Sequence, residues 1–225
     1  MTKDEILTYL YSLANPVNVA GMARYGINPH NTLGVNIPTL RQIAKESGRD
    51  HALALELWES GVHEARLLAA FIDDPKQVSE DQMERWAGDF DSWDICDQVC
   101  SSLFDRTPLA WQKIYQWSER EEEFVKRAAF VLIAALANHA KRAPDAQFEA
   151  FFPLLVQQAT DERNFVRKAV NWALRGIGKR NHALNQKAIA LCEQISQLDS
   201  KAARWIASDA LRELTSPKTQ TRLKR

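Results

Sequence analysis

The second half of the chain repeats itself, and this repetition restricts the fold more than any other feature of the sequence. Residues 124–129 (Phe-Val-Lys-Arg-Ala-Ala) are echoed by residues 165–170 (Phe-Val-Arg-Lys-Ala-Val), 41 residues further on. Residues 167–175 are echoed by residues 204–212 after another 37 residues. Periods near 40 residues are typical of stacked helix pairs, each of which buries its apolar face against the next pair.

Helical periodicity extends along the rest of the chain, and no strand or hairpin pattern competes with it. Only 8 Gly and 8 Pro interrupt the 225 residues, and prolines fall where a new helix can begin, as in Thr107-Pro108. The sequence predicts one all-α domain over residues 1–225, a HEAT-like helical repeat solenoid (α-α superhelix) with a concave basic face. The predicted helices cover residues 2–14, 37–47, 50–60, 62–73, 79–88, 91–104, 108–118, 121–139, 145–159, 162–178, 181–198 and 200–214.

The net charge of zero hides a strong asymmetry along the chain. Residues 1–123 hold 11 Lys/Arg and 21 Asp/Glu, a formal charge of −10, whereas residues 124–225 hold 18 and 8, a formal charge of +10. The second half is therefore a candidate surface for a polyanion. Charge alone leaves open whether that partner is a nucleic acid or an acidic protein.

Several functional classes find no support in the sequence. No stretch approaches the roughly 18 apolar residues of a membrane span, and the first residues lack the pattern of a signal peptide, so we expect a cytoplasmic protein. The three cysteines include no CxxC pair, and the five histidines have no paired ligand spacing. We therefore expect no metal and no cofactor, and we expect a monomer.

Trp93 and Asp97 are the first candidate site residues. They lie four positions apart, so one helical turn places an indole and a carboxylate on the same face. The alternative is that Trp93 covers the core while Asp94 and Asp97 are surface acids near a helix start, where the helix dipole favours negative charge.

A second candidate is a stripe in the basic half, formed by Lys168, Trp172, Arg175 and Lys179 at positions i, i+4, i+7 and i+11. Such a stripe can follow the phosphates of a nucleic acid. The helical wheel places Trp172 at the margin of the buried face. The alternative is an amphipathic ring that seals the edge of the core beside solvated cations.

These segments together resemble the DNA alkylation repair family, the AlkD-like HEAT-repeat DNA glycosylases, over about residues 20–215. The resemblance places the family's catalytic aspartate on Asp97 and its paired tryptophan on Trp93. It places the active-site arginine on Arg127, where Lys126 shares the position of an arginine pair, and the second tryptophan on Trp172. The matching segments are residues 34–41, 64–66, 93–97, 125–129 and 165–175.

The resemblance implies removal of alkylated purines, such as 3-methyladenine and 7-methylguanine, from double-stranded DNA without base flipping. The alkylated purine is cationic and leaves through an oxocarbenium-like sugar, so the residues at the site have mainly to stabilise positive charge. Lys126, Lys168, Arg175 and Lys179 are the predicted DNA-binding residues. The alternatives are a noncatalytic HEAT-repeat protein that binds bent or branched DNA, and a scaffold for protein interactions.

Overall fold

The computed structural model describes residues 1–223, and within that range its regular secondary structure is all helical, as predicted. It divides into two compact units, Met1–Leu109 and Ala110–Arg225; Lys224 and Arg225, at the end of the predicted single domain, lie outside the described residues. The helices of the first unit are α1 (Lys3–Ser12), α2 (Pro16–Arg24), α3 (Ile37–Ser47), α4 (His51–Glu59), α5 (His63–Ile72), α6 (Glu80–Gly88) and α7 (Trp93–Ser102), with a short 3-10 helix at Phe104–Arg106.

The second unit contains eight further helices within the described range. No helix of that range is both long enough and apolar enough to cross a bilayer. The eight are α8 (Ala110–Ser118), α9 (Glu123–His139), α10 (Asp145–Glu149), α11 (Phe152–Gln158), α12 (Asn164–Gly178), α13 (His182–Ser196), α14 (Lys201–Leu214) and α15 (Pro217–Leu223).

Helix starts coincide with side chains that can accept the free backbone N–H groups of a first turn. Thr2 and Glu5 form a reciprocal capping box at α1. Each such cap stabilises its helix by about 1 kcal/mol. The side-chain oxygens of the other N-cap residues that accept a backbone N–H belong to Asn15, Asn36, Asp50, Ser79, Asn181 and Ser200.

In the first unit, α5 packs against α3, α4 and α7. The core contains the stacked indoles of Trp58 and Trp86, whose ring centroids lie 4.0 Å apart, and Phe90 packs edge-on against Trp58. Both tryptophans are 1% exposed. Burial of such rings contributes much of the hydrophobic stability of a unit this small.

In the second unit, α12 packs between α9 and α14, the three helices that carry the sequence repeat. Residues 127–137 of α9 are buried without interruption, which is the pattern of a helix covered on all sides. Gly178 permits the close approach of α12 to α13 and α14, because a Cβ there would lie 2.6 Å from Leu214 Cδ2 and 2.9 Å from Ala188 Cβ.

The predicted helices are confirmed except at three places. The single helix expected at 145–159 is two helices, α10 and α11, because Pro153 stands at the start of α11 and the chain turns just before it. Helices α2 and α15 were not predicted, although Pro16 and Pro217 stand in their first turns.

Candidate active site and DNA-binding residues

Helix α7 presents Trp93 and Asp97 on consecutive turns. The helix begins at Trp93, and its apolar side (Ile95, Cys96, Val99 and Cys100) is buried. Trp93 and Asp97 are both partly exposed, so neither is turned into the interior of the unit. The indole and the carboxylate therefore lie one helical turn apart and remain accessible to a ligand.

The Trp93 ring is fixed by a hydrogen bond to the segment that follows α2. Its Nε1–H donates to the carbonyl of Tyr25 at 2.9 Å. The same segment is tied to the start of α7 twice more, because the Asn28 N–H donates to Ser92 Oγ at 2.8 Å and Asn28 Nδ2 donates to Asp91 Oδ2 at 2.7 Å. With its N–H already used, Trp93 can offer a ligand its ring rather than a hydrogen bond.

A buried ion pair holds the first turn of α7 from the other side. His63 Nε2 lies 2.9 Å from Asp94 Oδ2, and the two side chains are only 3% and 14% exposed. Burial by itself lowers the pKa of His63, but the hydrogen bond and charge of Asp94, together with the charges of Glu64 and Asp91, outweigh it, so the pKa is raised above 6.5. The pair fixes Asp94, which directly follows Trp93 in the first turn of α7.

We expect His63→Gln to lower the free energy of unfolding by about 2 kcal/mol at pH 6. The folded pKa of His63 is raised above 6.5, so the stabilisation by its charge is fully present below pH 6.5 and is lost as the pH rises through the folded pKa. Urea unfolding of both proteins between pH 5.5 and 9 measures this difference. His182→Gln, at the exposed start of α13, is the control; a difference that does not shrink with rising pH contradicts the prediction.

Glu64 has a structural role that the sequence analysis did not assign. Its carboxylate is fully buried and accepts the backbone N–H groups of Leu33, Gly34 and Val35 at 2.8, 2.6 and 3.2 Å. Gly34 has a φ of +82°, and a Cβ at this position would lie 2.4 Å from the Asn15 carbonyl oxygen. Glu64 therefore fastens the segment before α3 to the start of α5, next to His63.

In the second unit, Arg127 is buried rather than displayed on the surface. Its side chain is part of α9, the residue is 5% exposed, and Nη1 donates to the Phe165 carbonyl at 2.6 Å. The rings of Phe124 and Phe165 also meet, with centroids 5.4 Å apart. The guanidinium thus ties α9 to the first turn of α12, and the role of Arg127 as the active-site arginine stays a prediction.

Lys126, one of the four predicted DNA-binding cations, is engaged within the second unit. Its Nζ lies 3.6 Å from Asp161 Oδ2 and donates to Gln158 Oε1 at 3.1 Å. Asp161 also accepts two side-chain hydrogen bonds from Arg163. Burial raises the pKa of Asp161, but the hydrogen bonds and charge of Arg163 lower it by more. This carboxylate is therefore ionised and partly neutralises Lys126.

The predicted stripe on α12 is present, but two of its three cations form ion pairs with a neighbouring helix. Lys168 is exposed and Trp172 is half-buried at the edge of the helix, as the helical wheel indicates. Arg175 forms an ion pair with Glu213 of α14, and Lys179 Nζ lies 2.6 Å from the same carboxylate. Two of the three cations are thus held by α14.

The three cysteines are buried. Burial raises the pKa of the Cys192 thiol to about 12, so the thiol is unreactive at neutral pH. Among the residues that the structure describes, no three His, Cys, Asp or Glu side chains are grouped so that they could hold a metal ion.

Comparison with known proteins defines the class to which these features belong. Residues 6–214 match the family described as DNA alkylation repair enzyme, and the chain belongs to that family. The uncharacterized protein Lin0241 of Listeria innocua is 24% identical over 202 residues, which are 88% of each chain.

A solved structure confirms the HEAT-like fold. It represents a family of proteins related to the HEAT-like repeat DNA glycosylases with affinity for branched DNA structures, and it aligns with a TM-score of 0.79 at 19% identity over 95% of both chains. The family resemblance and the helical repeat architecture predicted from the sequence are therefore confirmed.

Proposed function

We propose that the protein is an alkylpurine DNA glycosylase, which hydrolyses the N-glycosidic bond of cationic purines such as 3-methyladenine and 7-methylguanine in duplex DNA without base flipping. Trp93 and Asp97 carry this proposal. They form an accessible indole and carboxylate pair on consecutive turns of α7. The start of this helix is held by the hydrogen bond of Trp93 to Tyr25 and by the ion pair of His63 with Asp94, in a member of the DNA alkylation repair enzyme family.

The chemistry requires stabilisation of positive charge on the sugar. The cationic base is a good leaving group, and the deoxyribose becomes oxocarbenium-like as the bond to the base lengthens. A carboxylate at Asp97 stabilises that charge and orients the attacking water. Opposite charges ~4 Å apart at an effective dielectric constant of ~20 attract each other by about 4 kcal/mol. This attraction is enough to accelerate cleavage of an N-glycosidic bond that the positive charge of the base has already weakened.

Trp93 supplies an aromatic face to the same cation. A ring face within ~6 Å of a cation contributes about 0.5 to 2 kcal/mol. Trp93 is suited to this role because its N–H is occupied by the Tyr25 carbonyl. In the second unit, Trp172, half-buried on α12, is proposed to present its ring to the DNA, and Arg127 is proposed to bind a phosphate. No metal or cofactor enters this reaction, and the protein acts as a monomer.

Among the proposed DNA-binding cations, Lys168 is exposed and available to bind a phosphate. Lys126, Arg175 and Lys179 already neutralise the carboxylates of Asp161 and Glu213. To bind DNA directly they have to exchange these partners for phosphates, so their contribution per residue is smaller than that of an unpaired cation.

Selectivity for cationic bases is the sharpest consequence of this proposal. We expect release of 7-methylguanine from a duplex that carries it at one position, and no release of hypoxanthine, a neutral base, from the matched duplex, because only the cationic base leaves without protonation. Mass spectrometry of the free base, with buffer alone as the control, measures both rates. Equal rates for the two bases contradict the electrostatic mechanism.

A second candidate is a noncatalytic protein that binds branched DNA. The similar solved structure favours it, since that protein family has affinity for branched DNA structures. In this case the protein binds a four-way junction more tightly than a duplex of equal length and releases no methylated base. The two assays together separate this candidate from the glycosylase.

A further inference from the structure

The first unit contains a cleft lined by positive charge, although its sequence is the acidic part of the chain. The cleft has a volume of about 380 Å³, and its lining includes Arg41, Lys45, Arg49, Phe71, Ser102 and Arg106. Residues 1–109 contain nine Lys and Arg in total, so four of the nine surround one cleft. Such clustering is not expected of cations that only keep the surface solvated.

The charges of the cleft are largely available to a ligand. Arg41, Lys45, Arg49 and Arg106 are all exposed. Arg49 lies 3.8 Å from Asp74 Oδ1, a loose pair. The Arg41 guanidinium is positioned by two uncharged groups. It lies over the Phe71 ring, 4.8 Å from the centroid, and its Nη2 donates to Gln98 Oε1 at 3.3 Å.

The cleft adjoins the proposed catalytic residue along α7. Gln98, which orients Arg41, follows Asp97 directly, and Ser102 at the end of α7 lines the cleft. Five residues of helix separate Asp97 from Ser102, a rise of about 7.5 Å at ~1.5 Å per residue.

We infer that this cleft binds the phosphodiester backbone of duplex DNA, close to the nucleotide whose glycosidic bond is hydrolysed beside Asp97. The inference rests on the proposed function for the position of the lesion, but not for the binding itself. Arginine and lysine side chains around a hydroxyl such as that of Ser102 are the groups that hold DNA phosphates in register. A purely structural role, in which cations complement helix C-terminal ends, accounts for Lys45 in the last turn of α3 but not for Arg41 in its middle.

The test measures the salt dependence of binding to undamaged duplex DNA by fluorescence anisotropy. Lys45→Gln combined with Arg106→Gln removes two proposed phosphate contacts, and each contact contributes about 0.9 to the slope of log Kd against log salt. We expect the slope to fall by about two. The loss of affinity between about 50 and 200 mM salt then becomes roughly tenfold smaller than in the wild type.

Arg85→Gln combined with Lys187→Gln is the matched control, since it changes the net charge equally at exposed ion pairs outside the cleft. An equal change of slope in both double variants, or no change in either, overturns the inference. Binding of undamaged DNA requires no base release. A protein that releases no methylated base, and so fails the proposed function, still gives the predicted salt response if the cleft holds phosphates.

Discussion

Asp97→Asn is expected to slow the single-turnover release of 7-methylguanine by about 10²- to 10³-fold, the loss observed when one preorganised electrostatic group is removed from an active site. The asparagine keeps the size and polarity of the aspartate but loses the charge that opposes the sugar cation. Because Asp97 is partly exposed on α7, the substitution leaves the buried face of that helix intact, and DNA binding stays unchanged.

Two controls isolate the charge of Asp97. Asp97→Glu keeps the carboxylate but displaces it by one methylene, so we expect intermediate activity. Asp81→Asn removes an exposed carboxylate at the start of α6 and leaves the rate unchanged. Full activity of Asp97→Asn, or an equal loss in Asp81→Asn, contradicts the proposed role.

Glu64→Ala is expected to have the largest effect on stability, lowering the free energy of unfolding by about 4 kcal/mol. The substitution leaves three backbone N–H groups, those of Leu33, Gly34 and Val35, without their acceptor. A buried donor left without a partner costs about 1 to 3 kcal/mol. Urea unfolding followed by circular dichroism measures the change.

The conservative variant Glu64→Gln retains one acceptor oxygen for Gly34 and Val35 but turns an amide N–H toward Leu33. We expect it to lose about 2 kcal/mol, half the effect of alanine. Glu56→Ala, on the exposed side of α4, stays within about 0.5 kcal/mol of the wild type. A loss in Glu64→Ala as small as that of Glu56→Ala contradicts the role assigned to the buried carboxylate.

Local signals were sufficient to predict most of the helices. The helix expected at 37–47 is α3 (Ile37–Ser47), because Asn36 caps it, a proline stands in its first turn and Gly48 with a φ of +74° ends it. The 41- and 37-residue echoes correspond to α9, α12 and α14, which pack side by side. Repetition of sequence therefore predicted which helices are neighbours as well as where they lie.

The two missed helices share a feature. No helix was predicted after Asn15-Pro16 or after Ser216-Pro217, yet both prolines stand in a first helical turn. The Asn15 side chain accepts the N–H groups of Val17 and Asn18, and Ser216 Oγ accepts the N–H of Thr219. Proline in such a context ends one helix and begins another, so proline alone does not distinguish a loop from a new helix.

The site was predicted less completely than the fold, because charge along a sequence does not show which charges are paired. The basic half supplied the predicted stripe, but Glu213 of the next repeat helix holds Arg175 and Lys179. The acidic half contains the basic cleft, because Arg41 and Arg106 are far apart in sequence and meet only in the fold. The placement of Trp93 and Asp97 one turn apart was predictable, since both lie on one helix and their spacing sets their relation; their role at the site stays a prediction.

Release of free base from methylated duplex DNA tests the central claim most directly. Duplex DNA treated with dimethyl sulfate is incubated with an excess of wild-type protein or of Asp97→Asn, and free 3-methyladenine and 7-methylguanine are quantified over time by mass spectrometry. Both bases should accumulate with the wild type well above the spontaneous rate and remain near that rate with Asp97→Asn. Wild-type release equal to that of buffer alone would contradict the assignment of glycosylase activity.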